Sequence, residues 1–93
     1  MVVGTLRFRL ALYGATSLKD KRRLVRSLKE RLAGRYNVSV AEVDSLDRRQ
    51  QAEIGVALVA NDRRFVAGCL DTIVEYVRND VSVSLIDWET EIL

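Results

Sequence analysis

The chain of 93 residues contains no histidine and a single cysteine, Cys69. Without an imidazole, a catalytic triad and any histidine-based acid–base scheme are excluded. Zinc or haem finds almost no suitable ligand, so no catalytic residue, no metal site and no cofactor is expected. A lone cysteine closes no internal disulfide, which fits a reducing cytoplasm. No apolar run approaches the length needed to span a bilayer, and the first residues lack the charged-then-apolar pattern of a secretory signal. No membrane association is expected. Linkers and low-complexity segments are also missing, so residues 1–93 read as a single domain. A content of 48% hydrophobic and 30% charged residues suits a globular chain of ordinary type.

What is present is patterned. Val2 to Leu12 alternates, with Leu6, Phe8, Leu10 and Leu12 on one face and Val3, Thr5, Arg7, Arg9 and Ala11 on the other. Period two over this length predicts a half-buried strand. Residues 13–16 form a turn, and Ser17 with Asp20 forms a capping box that opens a helix. Leu18, Leu24, Val25, Leu28 and Leu32 make its apolar stripe at a 3.6 period. Lys21 lies over that stripe near the first turn and is expected to bury its stem and send its ammonium out at the helix end. Gly34 is the expected stop, or a position close to it.

Asn37 to Asp44 predicts a second strand, with Val38 and Val40 opposed to Ser39, Ala41 and Val43. A polar connection, 45–50, leads to a third strand over Ala52 to Ala60, with Ile54, Val56 and Leu58 opposed to Glu53, Gly55, Ala57 and Val59. Asn61 or Asp62 caps a second helix with Val66, Cys69, Leu70, Ile73 and Val77 in its stripe, flanked by Phe65 and Tyr76. After a turn at Asn79–Asp80, a last strand runs from Val81 to Trp88. The order β-α-β-β-α-β is that of an α+β ferredoxin-like sandwich. Right-handed crossovers place both helices on one face of a four-stranded antiparallel sheet in the order 4-1-3-2.

Charge is divided as sharply as hydropathy. Residues 1–35 hold ten Lys/Arg against two acids, a net of +8, whereas 36–93 carry a net of −6, giving +2 for the chain. Eight of the fifteen cations lie between Ser17 and Arg35. Lys19, Arg22, Arg23, Arg26 and Lys29 share the outward side of the first helix, and only Glu30 visibly offsets their repulsion. Several cations held on one rigid element suit phosphate recognition, in which the planar fork of arginine can bind two oxygens at once. Arg7, Arg9 and Arg35 are further candidates for phosphate contact.

The helix-free sheet face is expected to show Val3, Val43, Ala57, Val59, Ile86 and Trp88 among small residues, a set apolar enough to mark a homo-oligomer interface. Trp88 reads as an anchor there. The central strands lack the outward aromatics on which single-stranded RNA modules stack bases, because the one aromatic in them, Phe8, points to the core. Phosphate-binding acylphosphatase loops need an arginine after the first strand, and copper chaperones need Cys-x-x-Cys there. Tyr13-Gly14-Ala15-Thr16 has neither. Gly14 gives weak support to a regulatory small-ligand module of the ACT type.

The strings Ser17-Leu-Lys-Asp-Lys-Arg-Arg-Leu-Val-Arg-Ser-Leu28, Tyr36-Asn-Val-Ser-Val-Ala-Glu-Val43 and Ala52-Glu-Ile-Gly-Val-Ala57, with Asn61-Asp62, closely resemble the bacterial YlxP-like family, a domain of unknown function. The resemblance covers essentially the whole chain and implies a ferredoxin-like fold. Genes of that family lie among those for transcription-termination, translation-initiation and ribosome-maturation factors, which implies a ribosome or RNA connection by association. Many members carry a tryptophan before the third strand where this chain has Arg49. The expectation from sequence is therefore a cytoplasmic, non-enzymatic RNA- or ribosome-associated protein. The alternative is a sheet-mediated homo-oligomeric structural or regulatory module, with a small ligand held at the interface as one form of it.

Overall fold

The computed structural model describes residues 1–93. Its elements are β1 (Val2–Ala11), α1 (Leu18–Arg35), β2 (Ser39–Asp44), β3 (Gln51–Ala60), α2 (Arg63–Arg78) and β4 (Ser84–Ile92). The strands form one antiparallel sheet in the order β2-β3-β1-β4. This is the expected βαββαβ sandwich. The inward residues of β1 and β3 (Leu6, Phe8, Leu10, Ile54, Val56 and Leu58) join the stripes of both helices in one buried core. At roughly 25 cal/mol per Å² of apolar surface removed from water, that one-sided burial is the main favourable term of folding.

Local chemistry fixes the helix ends. Ser17 Oγ accepts from the Asp20 amide at 3.1 Å, and the Asp62 carboxylate accepts from the amides of Arg64 and Phe65. Each cap satisfies amides that have no partner within the helix. α1 runs past Gly34, which takes no left-handed conformation, and ends where the extended Tyr36 turns its ring edge-on to Tyr76 at 6.3 Å. Phe65 projects into solvent and does not flank the core.

The last strand departs furthest from expectation. Asp80 Oδ1 accepts from the amide and hydroxyl of Ser82, and this turn delays the strand to Ser84. At the far end Leu93 exchanges two backbone hydrogen bonds with Val3, so the C-terminal residues lengthen the sheet and do not cover its face. Between these ends lies a bulge: Leu10 pairs with Leu85 but Arg9 pairs with Asp87, leaving Ile86 as the extra residue. One inserted residue inverts the side on which all later side chains fall. Trp88 therefore pairs with the inward-facing Phe8 and lies on the helix side, with the Arg78 guanidinium 4.9 Å from its ring centre. The expected place of Trp88 on the open face is thus corrected. A matching bulge in β2 leaves Val43 unpaired between Glu42↔Ile54 and Asp44↔Glu53.

Lys21 is the second correction. Its side chain is completely buried, and its ammonium does not reach solvent. Nζ donates to the carbonyl of Ser45 at 2.6 Å and to that of Leu46 at 3.3 Å. It also lies 2.7 Å from Glu42 Oε2, a charge pair in which that oxygen has no well-directed donor. Glu42 is in phase with Val40 on β2, so it faces the helices and meets the lysine there.

Close packing between the layers gives a direct test. A Cβ added at Gly4 would overlap Val66 Cγ1 of α2 and sit 3.4 Å from Leu70 Cδ1. Gly4→Ala should cost about 1–3 kcal/mol, as overpacking does, and lower the thermal midpoint by roughly 4–8 °C per kcal/mol. Adding Val66→Ala should recover part of that loss. Melting curves of the two single variants and the double variant decide it; strictly additive losses would mean that the two sites do not touch.

Candidate nucleic-acid interface

The outward side of α1 carries a row of cations with little acidic relief. Lys19, Arg22, Arg23 and Arg26 are exposed and Lys29 is half-buried. Arg23 alone has a carboxylate in range, Asp20 at 3.8 Å. Lys19, Arg22, Arg26 and Lys29 have no acidic oxygen within 4.0 Å, although the chain carries thirteen acids. At 1.5 Å per residue, Lys19 to Lys29 spans about 15 Å of one rigid rod. Beneath this row the Thr16 hydroxyl and amide donate to Asp20 and, with a smaller contribution from Arg23, hold its carboxyl below the usual carboxylate pKa.

The other cations of α1 face inward or sideways. Arg31 Nη1 donates to Asp80 Oδ2 at 2.8 Å and to the Tyr76 hydroxyl at 3.2 Å. Arg35 is exposed and lies 4.8 Å from the Tyr76 ring centre, a cation–π contact that ties it to α2. Arg35 is thus placed at the α1–α2 seam, apart from the outward row.

Arg7 and Arg9 are placed on the opposite side of the sandwich. Arg7 Nε donates to Glu53 Oε1 at 2.7 Å, and Asp44 lies 3.7 Å from its guanidinium. Arg9 forms a two-pronged pair with Asp87, one prong at 2.8 Å. These bonds raise the pKa of both arginines and lower that of Asp87. Because of the β4 bulge, Asp87, Glu89 and Glu91 all fall on this open face with Asp44 and Glu53. Five carboxylates against two guanidinium groups leave the face with a net charge of −3. Arg7 and Arg9 are therefore committed within an acidic surface and do not extend the basic one.

The same face is concave. A groove of about 550 Å³ crosses it, with Thr5, Ala41, Gly55 and Ala57 in its floor and Glu89 and Glu91 along one wall. Val43 leans over Gly55, where an added Cβ would come within 2.9 Å of its Cγ1. Val3, Val43, Ala57, Val59 and Ile86 all lie on this side, with Val59 and Ile86 more than half exposed. Nowhere do three His, Cys, Asp or Glu side chains converge in a way that would hold a metal ion, and no helix is long and apolar enough to cross a membrane.

Two features of the site escape the sequence. One is the Arg31–Asp80–Tyr76 cluster, which joins segments 49 residues apart. The other is the grip of Lys21 on the β2–β3 connection. For this the phase of Glu42 with Val40 was an available signal, because it puts a carboxylate on the helix side of β2.

Asp80 offers a pH test. Burial opposes its ionisation, but the two bonds from Ser82 and the Arg31 guanidinium outweigh burial and hold its carboxyl below the usual 3.8. A carboxyl depressed in the folded state stabilises above its unfolded value, and that stability is lost as pH falls through the folded value. Asp80→Asn should therefore lower the unfolding free energy obtained from urea titration at neutral pH by about 1 kcal/mol once the exposure of Arg31 is discounted. It should also make the decline of stability below pH 3.8 shallower. Equal acid slopes for the variant and the parent chain would refute the assignment.

The geometry can be set beside known proteins. The chain is 31% identical over 62 residues to the uncharacterised protein YlxP of Bacillus subtilis (strain 168), covering 67% of each chain. Residues 3–90 match the family model described as "protein of unknown function (DUF503)". A match over nearly the whole length, carried by the strands and helices described above, establishes that this chain belongs to the DUF503 family.

Proposed function

We propose that this protein is a non-enzymatic, cytoplasmic RNA-binding factor that grips phosphate backbone with the outward face of α1 and acts on RNA or a ribosomal particle. One observation carries the reading. Every arginine of the sheet is paired with a carboxylate, whereas four cations on one side of α1 have none. Like charges on one helix face oppose folding slightly, so their retention without relief points to an anion outside the molecule. The open sheet face offers no stacking platform, since Phe8 is 1% exposed and the outward residues of β1 and β3 include no aromatic ring. Recognition then rests on charge and shape with little sequence preference. The gene neighbourhood implied by the YlxP-like resemblance supports the same partner.

A second reading is self-association through the sheet face. The groove and the exposed Val43, Val59 and Ile86 favour it. The net charge of −3 opposes any two-fold pairing of that face with itself. Sedimentation across a wide concentration range separates the readings, because a monomer throughout removes the second.

Binding to a labelled RNA hairpin should weaken steeply with salt, the five helical cations contributing a log–log slope of about −3.5 to −4.5. Reversing Arg22, Arg23 and Arg26 to Glu should abolish binding and leave the circular dichroism unchanged. Unaltered affinity in that variant would overturn the proposal.

A further inference from the structure

Lys21 raises a question that the core does not answer. It occupies the apolar stripe of α1 between Leu18 and Val25, where a leucine would serve packing. Burying an ammonium with a carboxylate costs several kcal/mol, and such pairs are commonly neutral or worse beside a well-packed hydrophobe. What a lysine does here and a leucine cannot do is hold the two carbonyls of Ser45 and Leu46.

Those carbonyls belong to an unusual turn. Ser45 is the single non-glycine residue with positive φ, at 63°, a conformation that costs about 1–2 kcal/mol for a residue with a Cβ. Its amide donates to Asp44 Oδ1 at 2.7 Å. Its carbonyl accepts twice, from Lys21 Nζ and from the amide of Arg48 at 3.0 Å. The other end of the connection is fixed as firmly. Gln50 Nε2 donates to the carbonyl of Ala15 at 3.2 Å, and the Gln50 carbonyl accepts from Leu12 at 2.9 Å. Residues 45–50 are thus strapped at one end to α1 itself and at the other to the segment that leads into it. Between the straps stand Arg48 and Arg49, both exposed and both without a carboxylate within 4.0 Å.

We infer that this connection is a second segment of the phosphate-binding surface, with Arg48 and Arg49 as its contacts and Lys21 as the positioning residue that fixes them at the end of the molecule where Lys19 and Arg22 begin the helical row. The inference rests on the function proposed above and extends it from one helix face to two segments. An arginine on a free loop loses conformational entropy when it binds, and pre-fixing its backbone reduces that cost. Lys21 acts through the turn and touches no RNA. Its buried charge therefore gives the surface a shape and supplies none of the surface charge.

The test uses the full chain and a fluorescein-labelled RNA hairpin titrated over a range of salt. Arg48→Gln/Arg49→Gln should leave the urea midpoint near that of the parent chain and make the log–log slope shallower by about 1.4–1.8, the share of two phosphate contacts. Lys21→Met keeps volume and removes the ammonium. It should retain the helical spectrum, weaken binding, and add little when combined with the two arginine changes, since both act through one turn. A parent-like slope for Arg48→Gln/Arg49→Gln, with binding still abolished by reversal of Arg22, Arg23 and Arg26, overturns this inference and leaves the helical reading intact. Failure of the unmodified chain to bind the hairpin overturns both. Should Lys21→Met not fold, the arginine pair decides alone.

Discussion

The alternation of β1 is the constraint from which the arrangement of the molecule follows. Leu6, Phe8 and Leu10 must leave water, and in a two-layer fold they do so only beneath the helices. The same backbone then has no choice but to aim Arg7 and Arg9 the other way. β1 is also hydrogen-bonded on both sides, to β3 and β4, so its phase is imposed on its neighbours wherever the ladder is regular. The helices follow, since α2 closes over the start of β1 so tightly that Gly4 has no room for a side chain. The open face is a by-product of the same requirement. Once one side of β1 is committed to the core, charge collects on the other.

How far the sequence discloses this depends on the range of each interaction. Strand and helix phases are local, and Val2–Leu12, the Leu18–Leu32 stripe and the caps at Ser17 and Asp62 are all legible from neighbouring residues. Topology follows from element order and crossover handedness. The bulge at Ile86 is not legible: Ser84-Leu-Ile-Asp-Trp88 reads equally well with or without an extra residue, and only pairing with Arg9 and Leu10 settles it. That single shift carries Trp88 to the helix side and brings Glu89 and Glu91 to the open one. The neutralisation of Arg7 and Arg9 was hidden for the same reason, because their partners lie 46 and 78 residues away. Lys21 was visible as an anomaly of angular position, but its fate depended on a glutamate and two carbonyls more than twenty residues on.

Electrostatics in this fold are therefore sorted by layer. In the sheet layer, guanidinium and carboxylate groups meet across strands and leave an excess of acid. In the helix layer, Arg31 and Arg35 are drawn to Tyr76 and Asp80 at the seam, and the remaining cations of α1 face outward. The buried lysine belongs to neither set. Its charge is spent inside the molecule, on the geometry of a turn.

Sorting by layer has a consequence for how the molecule meets any large anion. A body with a uniform charge of +2 would approach in every orientation with equal ease. A slab that is positive on one broad side and negative on the other experiences a torque, and it rotates before contact so that α1 leads. After contact, the surface turned outward is the acidic sheet, of the same sign as the polyanion beneath it. A second copy turned by the same field presents its own α1 to that acid, so the charge layout favours head-to-tail contact and opposes the meeting of two sheet faces.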